Sequence, residues 1–92
     1  MEKKIRKHFI FYGRVQGVGF RYRACYAAKK LGLSGFVSNQ CNGTVEMEAQ
    51  GSEEAIWKLV WTLDQTKPIQ IEGIEEEEIP FKMGEKGFRT LN

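Results

Sequence analysis

The segment GRVQGVGFR, Gly13 to Arg21, holds three glycines in nine residues and ends on a cation. The apolar run HFIFYG precedes it, and the helix-like run YRACYAAKKLG follows. A strand-to-helix joint of this composition has one chemistry open to it. A helix N-terminus carries N–H groups without partners and about half a positive charge. Glycines ahead of it let the backbone curl and bring further N–H groups toward a ligand. Gln16, Gly17, Val18, Gly19 and Phe20 would then cradle an anion. Arg21 would stand at the positive end of the helix dipole, which costs roughly a few tenths of a kcal/mol. A dianion between Arg21 and the N–H groups removes that conflict, and a planar guanidinium suits two phosphate oxygens. The same glycines also suit a turn that binds nothing, with a solvated arginine beside it, and the loop alone does not choose. The Gly-Lys-Ser/Thr of nucleotide P-loops is absent.

Few other residues offer chemistry. His8 is the only histidine and lies inside the first apolar run, where a packing or surface role fits it. Glu75 to Glu78 follow one another in a strand-like run, so their side chains alternate between faces and do not converge on one ion. Such a run suits a solvated, aggregation-resistant edge. Cys25 and Cys41 are far apart and form no C-x-x-C pair. Reduced thiols and no metal are the expectation. Asn39, just before QCNG, reads either as a turn-starter or as a neutral amide able to orient a water.

An oxyanion cradle, one arginine and one amide restrict what phosphate chemistry is feasible. An alkyl phosphate must expel an alkoxide, and its uncatalysed hydrolysis is among the slowest known. An acyl phosphate expels a carboxylate, whose conjugate acid has a pKa of about 4. That leaving group needs no proton. Charge stabilisation and a positioned water suffice for it.

The elements that must position these residues follow from periodicity. KHFIFYGRV alternates Phe9, Phe11 and Val15 against His8, Ile10 and Tyr12, with both faces rather apolar, as in a central strand. Phe20, Ala24, Ala27, Ala28 and Leu31 form one helix face, and Gly32 follows as its terminator. SGFVSNQCNGTVEMEAQG reads as a hairpin, with a strand near Gly35–Asn39 and a type I′ signal at Asn42-Gly43. Its second strand sets Val45, Met47 and Ala49 against Thr44, Glu46, Glu48 and Gln50, and Gly51-Ser52 breaks it. Ser52 is a good N-cap, followed by Glu53 and Glu54. Ile56, Leu59, Val60 and Leu63 keep helical spacing, and Trp57 and Trp61 widen that stripe. IQIEGIEEEEI reads as an edge strand, and GFRTLN has room for a short last strand. The order β-α-β-β-α-β predicts an α+β, ferredoxin-like split βαβ fold: two helices on one face of a mainly antiparallel four-stranded sheet, with room for a short fifth strand at the end.

With 92 residues, 41% hydrophobic and 28% charged, the chain reads as a single domain over 1–92 with one modest core. No apolar run approaches the roughly 20 residues of a bilayer span. MEKKIRKH is basic, but no h-region follows it, so the expectation is a cytoplasmic protein without a membrane partner. A net charge of +2 does not by itself point to nucleic acid. Nothing in the sequence demands more than a monomer.

GRVQGVGFR resembles the acylphosphatase signature Gly-x-Val-Gln-Gly-Val-x-Phe-Arg. Gly35, Phe36, Val37, Asn39, Gly43, Val45 and Gly51 match the second signature of that family. The resemblance implies metal-independent, cofactor-free hydrolysis of an acyl phosphate to carboxylate and inorganic phosphate. It implies that Arg21 binds the phosphate, that Asn39 positions the attacking water, and that the N–H groups of Gln16, Gly17, Val18, Gly19 and Phe20 hold the phosphate oxygens. The partner is then a small-molecule acyl phosphate, with inorganic phosphate or sulfate as a competing anion. Phe11, Ser38, QTKPIQI and the ending GFRTLN depart from the usual pattern of the family. Two other readings share the βαββαβ order: a phosphate-binding module with weak catalysis, and an RNA-binding module. The second needs aromatics on the central strands, and TVEMEAQ has none.

Overall fold

The computed structural model describes residues 3–91. Its elements are β1 (Lys4–Arg14), α1 (Phe20–Lys30), β2 (Ser34–Asn39), β3 (Val45–Ser52), α2 (Glu53–Gln65), β4 (Gln70–Ile79) and β5 (Phe88–Thr90). The strands form one sheet in the order β4-β1-β3-β2-β5. β1 pairs antiparallel with β3 and β4, and β2 pairs antiparallel with β3. β5 runs parallel to β2 and makes the sheet five-stranded. β4 is the other edge, as its glutamates require.

Both helices pack on one face of this sheet. Phe9, Phe11, Val37, Val45 and Met47 supply the sheet side of the core. Phe20, Ala24 and Ala28 from α1 and Ile56, Leu59 and Leu63 from α2 supply the other side. Burying a Leu, Ile or Phe side chain contributes about 1.5–3 kcal/mol. This shared face therefore holds two short helices that would be marginal alone. Phe11 stacks on Phe9 and tilts against Phe20 with ring centroids 5.1 Å apart. It braces the first residue of α1 against the central strand.

Three local expectations need correction. Trp57 packs edge-on against Phe9, but Trp61 is 64% exposed and belongs to no core stripe. β3 continues through Gly51 and Ser52, which pair with Ile5 and Lys4 before Ser52 caps α2 by accepting from the Ala55 N–H at 3.2 Å. The hairpin turn is not type I′. That turn requires positive φ at both central residues, and only Gly43 has it, at 91°. Gly43 N–H donates to Gln40 O, and Gln40 N–H donates to Thr44 O. The loop is the three-residue form that ends on a left-handed glycine.

On the outer sheet face, the Arg6 side chain is 2% exposed. Its Nε donates to Glu48 at 2.7 Å, and its two terminal nitrogens donate to the Glu85 carboxylate at 2.6 and 3.3 Å. Gln50 exchanges hydrogen bonds with the Lys82 backbone, Nε2 to O and N–H to Oε1, both at 2.8 Å. The segment leading into β5 is thus strapped across the end of the outer face. Backbone bonds from Gly35 to Gly87 and from Leu91 to Val37 then seat β5 on β2.

Candidate active site

β1 ends in a bulge. The register with β4 shifts between Tyr12 and Gly13. At Gly13 the β4 backbone comes so close that a Cβ would lie 2.3 Å from Gln70 O. A bulge bends and twists the strand it interrupts, and here it turns the chain into the glycine loop. Gly17 and Gly19 have φ of 72° and 82°, which side-chain-bearing residues rarely adopt. Beyond their chain neighbours, no atom lies within 4 Å of where their Cβ atoms would be, so it is the backbone conformation and not crowding that calls for glycine.

Gly19 is the N-cap of α1, and no side chain caps the helix. The first backbone bond of the helix runs from Arg23 N–H to Gly19 O at 3.0 Å. Among the described residues, the N–H groups from Gly17 through Tyr22 have no hydrogen-bond acceptor. The first turn holds no acidic residue to answer the dipole. A cleft of about 420 Å³ is lined by Val15, Gly17, Gly19, Phe20, Arg21, Tyr22, Asn39 and Thr90. No His, Cys, Asp or Glu lines it. Arg21 makes no hydrogen bond or ion pair with another described residue. Asn39 ends β2 on the far wall, and its Oδ1 is buried without a hydrogen-bond partner.

The fold therefore brings Gly17, Gly19, Phe20, Arg21 and Asn39 into one cleft. Gln16 and Val18 are not among its lining residues. The Gln16 side chain is committed elsewhere: its Nε2 donates to Gln40 O and Thr44 O, both at 2.8 Å. Val18 packs against the core. The sequence alone did not assign Val15, Tyr22 or Thr90 to the site. Thr90 reaches the cleft through β5 and lies 3.2 Å from Cys25 Sγ. A larger cleft, about 710 Å³, lies between α2 and β4, lined by Trp57, Val60, Trp61 and Ile71. Its ionisable residues are Asp64 and Glu72. Size favours that cleft, but two carboxylates and indoles repel or ignore a phosphate, so the chemistry selects the smaller one.

The sequence profile of the acylphosphatase family matches residues 7–90. The chain belongs to the acylphosphatase family. Its relatives are hydrolases acting on acid anhydrides. An acylphosphatase of Geobacillus thermodenitrificans is 42% identical over 87 residues, covering 94% of this chain and 93% of the relative. The crystal structure of the acylphosphatase from Bacillus subtilis superimposes with a TM-score of 0.87 at 34% identity, covering 96% of this chain and 99% of the other. The acylphosphatase from Coxiella burnetii superimposes at 0.85 with 31% identity, over 95% and 92% of the two chains. These acylphosphatases share the ferredoxin-like arrangement, so the split βαβ expectation holds, with a fifth strand added. No helix of the described residues is long and apolar enough to cross a membrane.

Proposed function

We propose that this acylphosphatase hydrolyses acyl phosphates in the cleft between the glycine loop and Asn39, without metal or cofactor. One observation carries the reading: Gly17, Gly19, Phe20, Arg21, Tyr22 and Asn39 line a single cleft, and the backbone N–H groups of the five loop and helix residues and the Asn39 Oδ1 have no partner.

The phosphate of the substrate sits over Gly17, Gly19 and Phe20, where backbone N–H groups and the helix dipole take its charge. Arg21 binds two of its oxygens with the guanidinium fork. Asn39 Oδ1 accepts a hydrogen bond from water and aims a lone pair at phosphorus. As the water oxygen bonds to phosphorus, the bond to the acyl oxygen breaks and the carboxylate leaves with the electron pair. The water's proton passes to a phosphate oxygen of the substrate itself. The products are a carboxylate and dihydrogen phosphate. Because the leaving group is a weak base, the cleft's lack of an acidic side chain is no obstacle. Gln16 and Val18 contribute through the loop's backbone and shape. The acyl part points out of a small, open cleft, so selectivity among acyl groups is poor. The natural setting in this reading is a single-domain cytoplasmic monomer acting on a small molecule, with no nucleic acid bound.

The test is consumption of benzoyl phosphate in excess EDTA, by the wild type and by Arg21→Ala and Arg21→Lys. Wild-type turnover persists in the chelator, and neither variant recovers it, because lysine keeps the charge but not the two-pronged geometry. Activity that dies with EDTA and returns with Mg²⁺ contradicts the reading. An active Arg21→Lys enzyme removes the bidentate role.

A further inference from the structure

The sequence isolates His8, but sheet pairing does not. In the β1–β3 register His8 stands opposite Glu48, and Glu46 stands opposite Ile10, one diagonal step away. One ligand atom from each of His8, Glu46 and Glu48 lies within 4.8 Å of the other two, and all three residues are half-buried. His8 Nε2 is 2.8 Å from Glu46 Oε2. Both carboxylates are oriented by donors on their other oxygen. Gln40 Nε2 donates to Glu46 Oε1 at 3.4 Å, and Arg6 Nε donates to Glu48 Oε1 at 2.7 Å. Glu46 is left with the Oε2 that meets the imidazole, and Glu48 with an Oε2 that takes no hydrogen bond from another described residue. On the opposite side of β1, Glu77 of β4 also stands in register with His8.

We infer that His8, Glu46 and Glu48 form a binding site for a late first-row divalent cation such as Zn²⁺, on the face of the sheet opposite the catalytic cleft. The donor set supports this class. One imidazole nitrogen and two carboxylate oxygens match zinc's ligand preferences, and three protein ligands leave a position for water. Ligands held by hydrogen bonds from outside the coordination sphere keep their orientation, and here Arg6 and Gln40 supply those bonds. The ligands come from two neighbouring strands, so the cation would cross-link β1 to β3 in the folded state only.

The probe is zinc chloride alone, titrated calorimetrically into the full chain with melting temperature followed in parallel. One equivalent binds, and the melting temperature rises because the ion prefers the folded form. His8→Ala and, separately, Glu46→Gln each weaken binding by at least about tenfold. Glu48 is left intact because its loss would also strip buried Arg6 of one of its two carboxylate partners. Cys41→Ser binds zinc as the wild type does, and zinc-free His8→Ala hydrolyses benzoyl phosphate at the wild-type rate. No saturable binding at sub-millimolar zinc overturns the inference. So does binding that survives His8→Ala, or binding that disappears in Cys41→Ser, which would place the ion at an exposed thiol.

Discussion

The side chain of Gln16 is fastened to the backbone of Gln40, its Nε2 donating to the Gln40 carbonyl oxygen at 2.8 Å. A second bond of equal length goes to Thr44 O. Gln16 opens the glycine loop, and Gln40 follows Asn39 at the end of β2. One amide therefore sets the gap between the groups that would hold phosphate and the group that would hold water. Sequence reading placed Gln16 in the cradle through its backbone; the side chain acts as a tie between the cradle and the opposite wall.

Gln16→Ala should therefore lose rate more than stability. Gln40 O keeps its bond from Gly43 N–H, and Thr44 O keeps its bond from Gln40 N–H, so neither carbonyl is orphaned. Two hydrogen bonds lost in this way cost about 1–2 kcal/mol. A loosened gap lowers kcat by about ten- to a hundredfold, as misplacing reacting groups by an ångström does. Steady-state kinetics beside a denaturation curve checks the split. Unchanged kcat in the folded variant would show that the tie does not position the site.

Inorganic phosphate and sulfate should compete with substrate, since they offer the same oxygens to the N–H groups from Gly17 to Tyr22 and to Arg21. They should also raise the melting temperature, because only the folded loop binds them. At a hundredfold excess over the dissociation constant the stabilisation is about 2.7 kcal/mol. Noncompetitive inhibition, or a melting temperature indifferent to saturating phosphate, would count against the cradle.

Much of this was legible from the sequence because the signals are local. The loop glycines, the Ser52 cap and the alternation of Val45, Met47 and Ala49 act within a few residues of one another. What was hidden is long-range. Arg6 reads as part of a basic terminus, yet it is buried because Glu85, distant in sequence, folds over it. A short last strand was readable in GFRTLN, but no hairpin signal told that β5 pairs parallel to β2 or that Thr90 reaches the cleft. His8 looks solitary until the register sets it opposite Glu48. Trp61 fits the helical spacing of α2 but turns toward solvent, because a spacing rule says which face a residue is near and not how far the core extends.

The Arg6–Glu85 strap makes stability depend on acid. The hydrogen bonds from Arg6 hold the Glu85 carboxyl below its ordinary 4.5, with burial opposing in part. A carboxylate depressed in the folded state stabilises above its unfolded pKa, and that contribution is lost as pH falls through the folded value. Glu85→Gln should cost at most about 3 kcal/mol at neutral pH, the low end for a broken buried pair, because Glu48 stays on Arg6. Below pH 4.5 the variant should lose less with further acid, so the two stability curves converge. Urea denaturation across that range checks it. Parallel curves would mean that Glu85 does not carry the acid sensitivity.

The most direct test of the cleft's assignment is kcat for benzoyl phosphate in Asn39→Ala, with melting temperature and phosphate affinity measured on the same preparation beside the wild type. A water held by Asn39 Oδ1 contributes when attack begins and not when phosphate binds. An interaction made only in the transition state lowers kcat and leaves binding alone. The predicted result is intact phosphate binding with kcat down by about 10²–10³-fold, the scale of losing one oriented hydrogen-bonding group at a reacting centre. A folded Asn39→Ala protein that binds phosphate and turns over at the wild-type rate would contradict the account and leave Asn39 as the end of a strand.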